Sequence, residues 1–218
     1  MGRGSDRLAQ HILALAARFA SAGYAAIVPD LDSYRGPGAV GTPVSSQPSN
    51  RAALQTGLSK TLDYLQGLPA MDARRVAAMG IGAGGTYPHL LNSLRPEIAA
   101  NIVCFGGTEG TDEAIRGSTA PTLGLFAESD PSVSVAQVLE LRARLEKHRR
   151  SYEIQLLPGA PDPSFSRSAP ADMAWGTILN FLERVYGGEF PPDRVRQRWF
   201  PSTHLTTVVP KYVLGEVR

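Results

Sequence analysis

The 218-residue sequence predicts one doubly wound α/β domain on a mostly parallel sheet, residues 1–188, followed by a C-terminal extension at 189–218. Three observations carry this. Short apolar runs of strand length alternate with longer stretches of helical period, the pattern of a parallel sheet covered on both faces. A glycine-rich turn at 80–85 joins one apolar run directly to a helix. The chain is 43% hydrophobic and 19% charged, ordinary values for one globular domain with a real core.

The elements follow in order. Residues 6–22 have helical spacing, with Leu8, Ile12, Leu15, Ala16 and Phe19 on one face and Gly23 as the stop. Residues 24–28 read as a short buried strand ended by Pro29, and 32–50 as a Gly/Pro/Ser loop. A helix is expected at 51–68, a strand at 76–80, and a helix at 86–94 after the glycine turn. Strands at 98–105, 121–126 and 152–157 follow, with helices at 135–148 and 169–186. In such a sheet the site gathers at the carboxyl ends of the strands. Cys104, inside an apolar strand, reads as a buried structural thiol.

Composition excludes several classes. Net charge is +2, from 22 basic and 20 acidic residues, so no global field favours nucleic acid or an acidic membrane surface. No apolar run approaches the roughly 18 residues of a membrane span. With one cysteine the chain forms no intrachain disulfide and no thiolate-rich metal site; a cytoplasmic location is the default expectation, and neither metal nor cofactor is expected. The 80–85 turn has no Lys-Ser/Thr after it and does not read as a phosphate loop.

Several stretches together resemble the dienelactone hydrolase family. They are Ala16-Ala-Arg-Phe-Ala-Ser-Ala-Gly-Tyr24, Val28-Pro-Asp-Leu31 with Arg35 and Pro37-Gly38, and Met79-Gly-Ile-Gly-Ala-Gly-Gly85. To these are added Phe105-Gly-Gly107, Leu125-Phe-Ala-Glu-Ser-Asp-Pro131, Leu157-Pro-Gly-Ala160 and Ala171-Asp-Met-Ala-Trp175. The resemblance covers roughly residues 8–188 and implies an α/β-hydrolase sheet. It also implies a nucleophile on a strand-to-helix elbow, a histidine that activates it, a carboxylate that orients the histidine, and an oxyanion hole.

Carried over position by position, the resemblance implies a degenerate site. The elbow nucleophile falls on Gly82, which has no side chain to attack with. The acid falls on Asp130, which also suits a cap or turn. The histidine falls on Pro163, or on Asp162 in a shifted register, and neither is an imidazole base. Of the four histidines, His11, His89, His148 and His204, only His204 could approach the site, by a folded-back tail. Family members also carry strands before the first helix, one of them central. Their absence here implies that the sheet re-pairs, that another strand such as 205–213 fills the slot, or that the product starts upstream of Met1. Arg35 stands where the resemblance places an arginine that holds a substrate carboxylate.

The expectation is therefore a catalytically inactive protein on a hydrolase scaffold, acting as an accessory subunit that binds other protein subunits. Its docking arm would be 189–218, anchored by Arg194, Arg196, Arg198, Trp199 and Phe200. The alternatives are an active hydrolase with relocated groups, such as Ser129, Ser132 or His204, and a small-carboxylate binder using Arg35.

Overall fold

The computed structural model describes residues 3–29, 48–69, 71–108, 112–161 and 169–201. Six helices and five strands are found among them: α1 (Arg3–Ser21), α2 (Pro48–Gln66), β1 (Ala77–Ile81), α3 (Tyr87–Leu94), β2 (Ala100–Cys104), α4 (Asp112–Gly117), β3 (Thr122–Ala127), α5 (Val135–Lys147), β4 (Tyr152–Leu157), α6 (Ala169–Tyr186) and β5 (Gln197–Phe200). The strands form one sheet in the order β1-β2-β3-β4-β5. Every pairing is parallel, with register Ala77↔Ala100, Asn101↔Thr122, Thr122↔Tyr152 and Tyr152↔Gln197 at the starts of the ladders.

Side-chain alternation splits the core into two layers. On one face Ile102, Cys104, Leu123, Leu125 and Leu157 pack against Leu15 of α1 and Ala174, Ile178 and Phe181 of α6. On the other, Val103, Phe126, Ile154 and Leu156 pack against Val138, Leu141 and Leu145 of α5 and Ile115 of α4. Strands β2, β3 and β4 are buried along their whole length, as continuous apolar runs in a covered parallel sheet require. Cys104 is fully buried, and burial pushes its thiol well above the ordinary range, so it stays an inert core group.

Polar residues also hold the sheet together. Asn92 Oδ1, fully buried on α3, accepts from the Ser118 hydroxyl at 2.7 Å and from the amides of Thr119 at 2.7 Å and Ala120 at 2.9 Å. It thereby ties α3 to the turn before β3. Ser134 caps α5 in a reciprocal capping box with Gln137, a pattern the sequence shows as Ser-x-x-Gln.

Three expectations are corrected. Residues 24–28 form no strand, and Ile27 and Val28 are 36% and 45% exposed. An extended run has no ladder without a neighbour, and among the described residues no strand lies beside it. The short helix α4, six residues long, has no counterpart in the sequence reading, because it is too short to show a period. Residues 189–200 are not a separate arm. They turn back after α6 and add β5 to the outer side of β4.

The reason lies in β4. Glu153 is buried, and its carboxylate needs partners that the outer side supplies. Arg184 Nη2 donates to Glu153 at 2.6 Å, while Arg184, Arg196 and Arg198 converge on Glu189 Oε1 at 3.3, 3.1 and 3.2 Å. Trp199 packs beside Ile154 with the Arg142 guanidinium 5.6 Å from its ring centroid. Residues 202–218, which include His204 and the candidate filler 205–213, lie outside the described residues.

Candidate functional site

The site expected at the carboxyl ends of the strands is framed by the turn after β1, the loop after β2, the loop after β3 and the start of the loop after β4. The turn after β1 is a 3₁₀ segment, Gly82–Thr86, leading into α3. Its first residue, Gly82, has φ +54°, a conformation that strains any residue with a Cβ. Among the described residues, a Cβ at this position would meet nothing within 4 Å.

The glycines behind Gly82 are there for contact. A Cβ on Gly80 would fall 2.8 Å from the Gly85 Cα, and one on Gly85 would fall 2.7 Å from the Gly106 carbonyl oxygen. The turn after β1 and the loop after β2 therefore touch backbone to backbone, with Phe105 beside them in a left-handed conformation at φ +51°. This is a sharp strand-to-helix elbow whose outward position carries no nucleophile.

Asp130 closes a turn through one of its two carboxylate oxygens. Its Oδ1 accepts the amides of Ser132 at 2.7 Å and Val133 at 3.1 Å, closing the turn that delivers Ser134 to the cap of α5. Ser129 and Ser132 are exposed in the same turn, and the Ser129 amide donates to the Gly159 carbonyl, joining the loops after β3 and β4. Thr86 has a buried hydroxyl without a hydrogen-bond partner among the described residues, so no base activates it there.

No described histidine reaches this end of the sheet. His89 Nε2 lies 3.0 Å from the hydroxyl of Thr122, the first residue of β3, at the opposite end. His148 precedes β4 and lies 2.9 Å from Asp112 Oδ1. His11 is exposed on α1. Burial, assisted by Arg144, pushes the His89 pKa down to about 4, which keeps the ring neutral. Arg35, Asp162 and Pro163 lie outside the described residues. No group of three metal-ligating side chains occurs among the described residues, and no described helix is long and apolar enough to cross a membrane.

Of the expected interface residues, Arg196 and Arg198 are engaged with Glu189, and Trp199 and Phe200 are half-buried in β5. Arg194 is exposed. A surface depression of about 500 Å³ lies away from the elbow, between α2, α3 and α4, and Gln55, Ser93, Glu113 and Arg116 line it. Nothing in the sequence pattern points to it, since its lining comes from three separate helices.

The parallel sheet, its covering helices and the glycine elbow define an α/β-hydrolase fold. Residues 3–185 match the dienelactone hydrolase family, and the chain belongs to it. It is 29% identical over 132 residues to the "Putative carboxymethylenebutenolidase" of Saccharolobus solfataricus, covering 58% of this chain and 49% of that protein. It is 28% identical to the "Probable 2-oxo-3-(5-oxofuran-2-ylidene)propanoate lactonase" of a Bradyrhizobium species, covering 55% and 54%. The chain thus spans about half the length of these curated relatives. Among solved structures, the dienelactone hydrolase-like promiscuous phosphotriesterase from metagenomic libraries superposes with a TM-score of 0.66 at 20% identity, covering 80% of each chain, a likeness of fold.

Proposed function

We propose that this chain is a non-catalytic member of the dienelactone hydrolase family that serves as an accessory subunit of a protein complex. The observation that carries the reading is Gly82. It sits at the outward position of the elbow, at φ +54°, and among the described residues nothing lies within 4 Å of a Cβ built there, so the turn has the form that presents a nucleophile and no atom to do so. Removing members of a catalytic triad leaves only residual rate from binding and oxyanion stabilisation. The proposed setting is cytoplasmic, with protein partners and without a cofactor.

The test is a hydrolysis panel of dienelactones, simple lactones and aryl esters with the purified chain, beside native purification with mass spectrometry of co-eluting proteins. No turnover above the uncatalysed rate, together with recovery in a stoichiometric complex, is the expected result. Turnover that disappears in Asp130→Ala would overturn it.

Family membership favours a second reading, an active hydrolase with relocated groups. Ser129 and Ser132, exposed on the loop after β3, are its candidate nucleophiles. Their loss by alanine substitution would abolish turnover under that reading alone. A small-carboxylate binder using Arg35 is the third. A rise in melting temperature with added dicarboxylate, absent in Arg35→Ala, is its signature.

A further inference from the structure

Most described arginines lie within 4 Å of a carboxylate, from Arg18 on Asp172 to Arg198 on Glu189. Arg116, Arg149, Arg150 and Arg194 are in no ion pair among the described residues. All four stand at one end of the sheet, opposite the elbow. Arg116 lies in the last turn of α4 ahead of β3, Arg149 and Arg150 lead from α5 into β4, and Arg194 leads into β5. Hydrogen bonds stitch these strand starts together. Arg150 Nη2 donates to the Arg116 carbonyl, Gln197 Nε2 donates to the Arg150 carbonyl at 3.3 Å, and the Ser151 hydroxyl donates to the Arg194 carbonyl at 3.5 Å. Segments far apart in sequence thus set four arginines over the amino ends of β3, β4 and β5, a row about 10 Å long at the usual strand spacing.

The row works against the stability of the fold. Its like charges repel, and the carboxylates around it do not relieve them. Asp112, at the same end, is taken up by Lys147 Nζ at 3.0 Å and lies 2.9 Å from His148 Nε2. Glu113 and Asp193 are exposed on the flanking segments and pair with none of the four. Arg150 Nε is buried without a hydrogen-bond partner among the described residues, so this guanidinium is short of acceptors. Arg149 closes α5 in the two-bond turn that favours glycine: its amide donates to the Glu146 carbonyl, and the Arg150 amide donates to the Leu145 carbonyl. Yet an exposed arginine holds that place, at φ +53°. Strain kept at an exposed cation points to a use for the charge.

We propose that this row is the docking surface for an extended acidic segment, rich in Asp and Glu, of a partner protein. Guanidinium groups take carboxylates in a bidentate fork, and an exposed arginine without an internal partner is free to do so. Carboxylates on alternate residues of an extended chain recur about every 7 Å, so a short segment laid across three strand starts meets at least two arginines. Nucleic acid fits less well. Tyr152 is buried and Trp199 half-buried, so neither offers a face on which a base could stack, and the net charge of +2 adds no wider field for phosphates. The proposal rests on the accessory-subunit reading in making the partner a protein, and it names the face and the chemistry of docking.

The test is fluorescence anisotropy of a fluorescein-labelled poly-glutamate peptide titrated with the purified full chain at low salt, beside labelled oligothymidylate. Wild type is expected to bind the peptide saturably. Arg149→Gly/Arg194→Ala should bind it about tenfold more weakly, whereas Lys60→Ala/Arg74→Ala, which removes two exposed charges elsewhere, should lose less than about twofold. Arg149→Gly alone should weaken binding while raising the melting temperature, opposite shifts that a purely structural arginine would not show. No saturable binding by wild type overturns the proposal, as does an equal loss in the two double variants. Tighter binding of oligothymidylate than of the peptide overturns it in favour of nucleic acid. Native purification separates this surface from the subunit reading. A complex recovered equally well with Arg149→Gly/Arg194→Ala overturns the surface alone, and the absence of any complex beside intact peptide binding overturns the subunit reading alone.

Discussion

Gly82 and Gly106 meet backbone to backbone: a Cβ on Gly106 would fall 2.6 Å from the Gly82 Cα, while a Cβ on Gly82 would meet nothing within 4 Å among the described residues. One contact thus assigns the two glycines different roles, the first set by conformation and the second by crowding as well as by its own φ of +156°.

Substitution at the pair should separate those roles. Gly82→Ser meets only the left-handed backbone, a cost of about 1–2 kcal/mol, and should stay folded. Gly106→Ala must push the elbow off the loop after β2, at about 3 kcal/mol or more. Urea midpoints at constant m-value check the order. Gly82→Ser should gain no esterase activity, because no described histidine stands at that end of the sheet.

Acid sensitivity follows from His89. Its folded pKa, down to about 4, lies below the ordinary 6.5, so the unfolded chain takes up the proton first. The stabilisation is full above pH 6.5 and is lost as pH falls toward 4, about 3 kcal/mol in all. Chemical unfolding at stepped pH should show that slope, and His89→Gln should flatten it.

Glu153→Ala should loosen β5. It leaves Arg184 facing Glu189 alone and strips Arg198 of a carboxylate 3.8 Å away. Breaking a buried pair from one side costs about 3–5 kcal/mol, and the lower figure fits here because Arg184 is one-fifth exposed. Hydrogen exchange should show residues 197–200 losing protection before β2 and β3.

Asn92→Ala removes one acceptor that serves three donors, of which the Ser118 hydroxyl and the Ala120 amide are buried. A loss of about 3 kcal/mol is expected from the groups left unpaired. Asn92→Asp keeps the acceptor but loses the donation to Ile98 O, and should fall between alanine and wild type in thermal unfolding.

Much of the fold is legible in the residues themselves. The runs 100–104, 122–127 and 152–157 are apolar enough to be strands buried on both faces, and the helices α1, α5 and α6 carry clear periods and stops. At the candidate site, the sequence shows that residue 82 is a glycine, with no side chain to offer at the outward position of the elbow. The turn-closing role of Asp130 is less legible, since Asp-Pro-Ser shows it only once the amides of Ser132 and Val133 are seen to converge on Oδ1.

What the sequence by itself determined is therefore local: which runs bury themselves, where helices stop, and which side chain is missing from the elbow. What only the tertiary structure decided concerns partners. Residues 24–28 have strand composition and no neighbour, while Gln197–Phe200, with an arginine in a four-residue run, becomes a strand because β4 and Glu153 stand beside it. The physical reason is that a strand is completed by hydrogen bonds to another segment, so its existence depends on what lies alongside it.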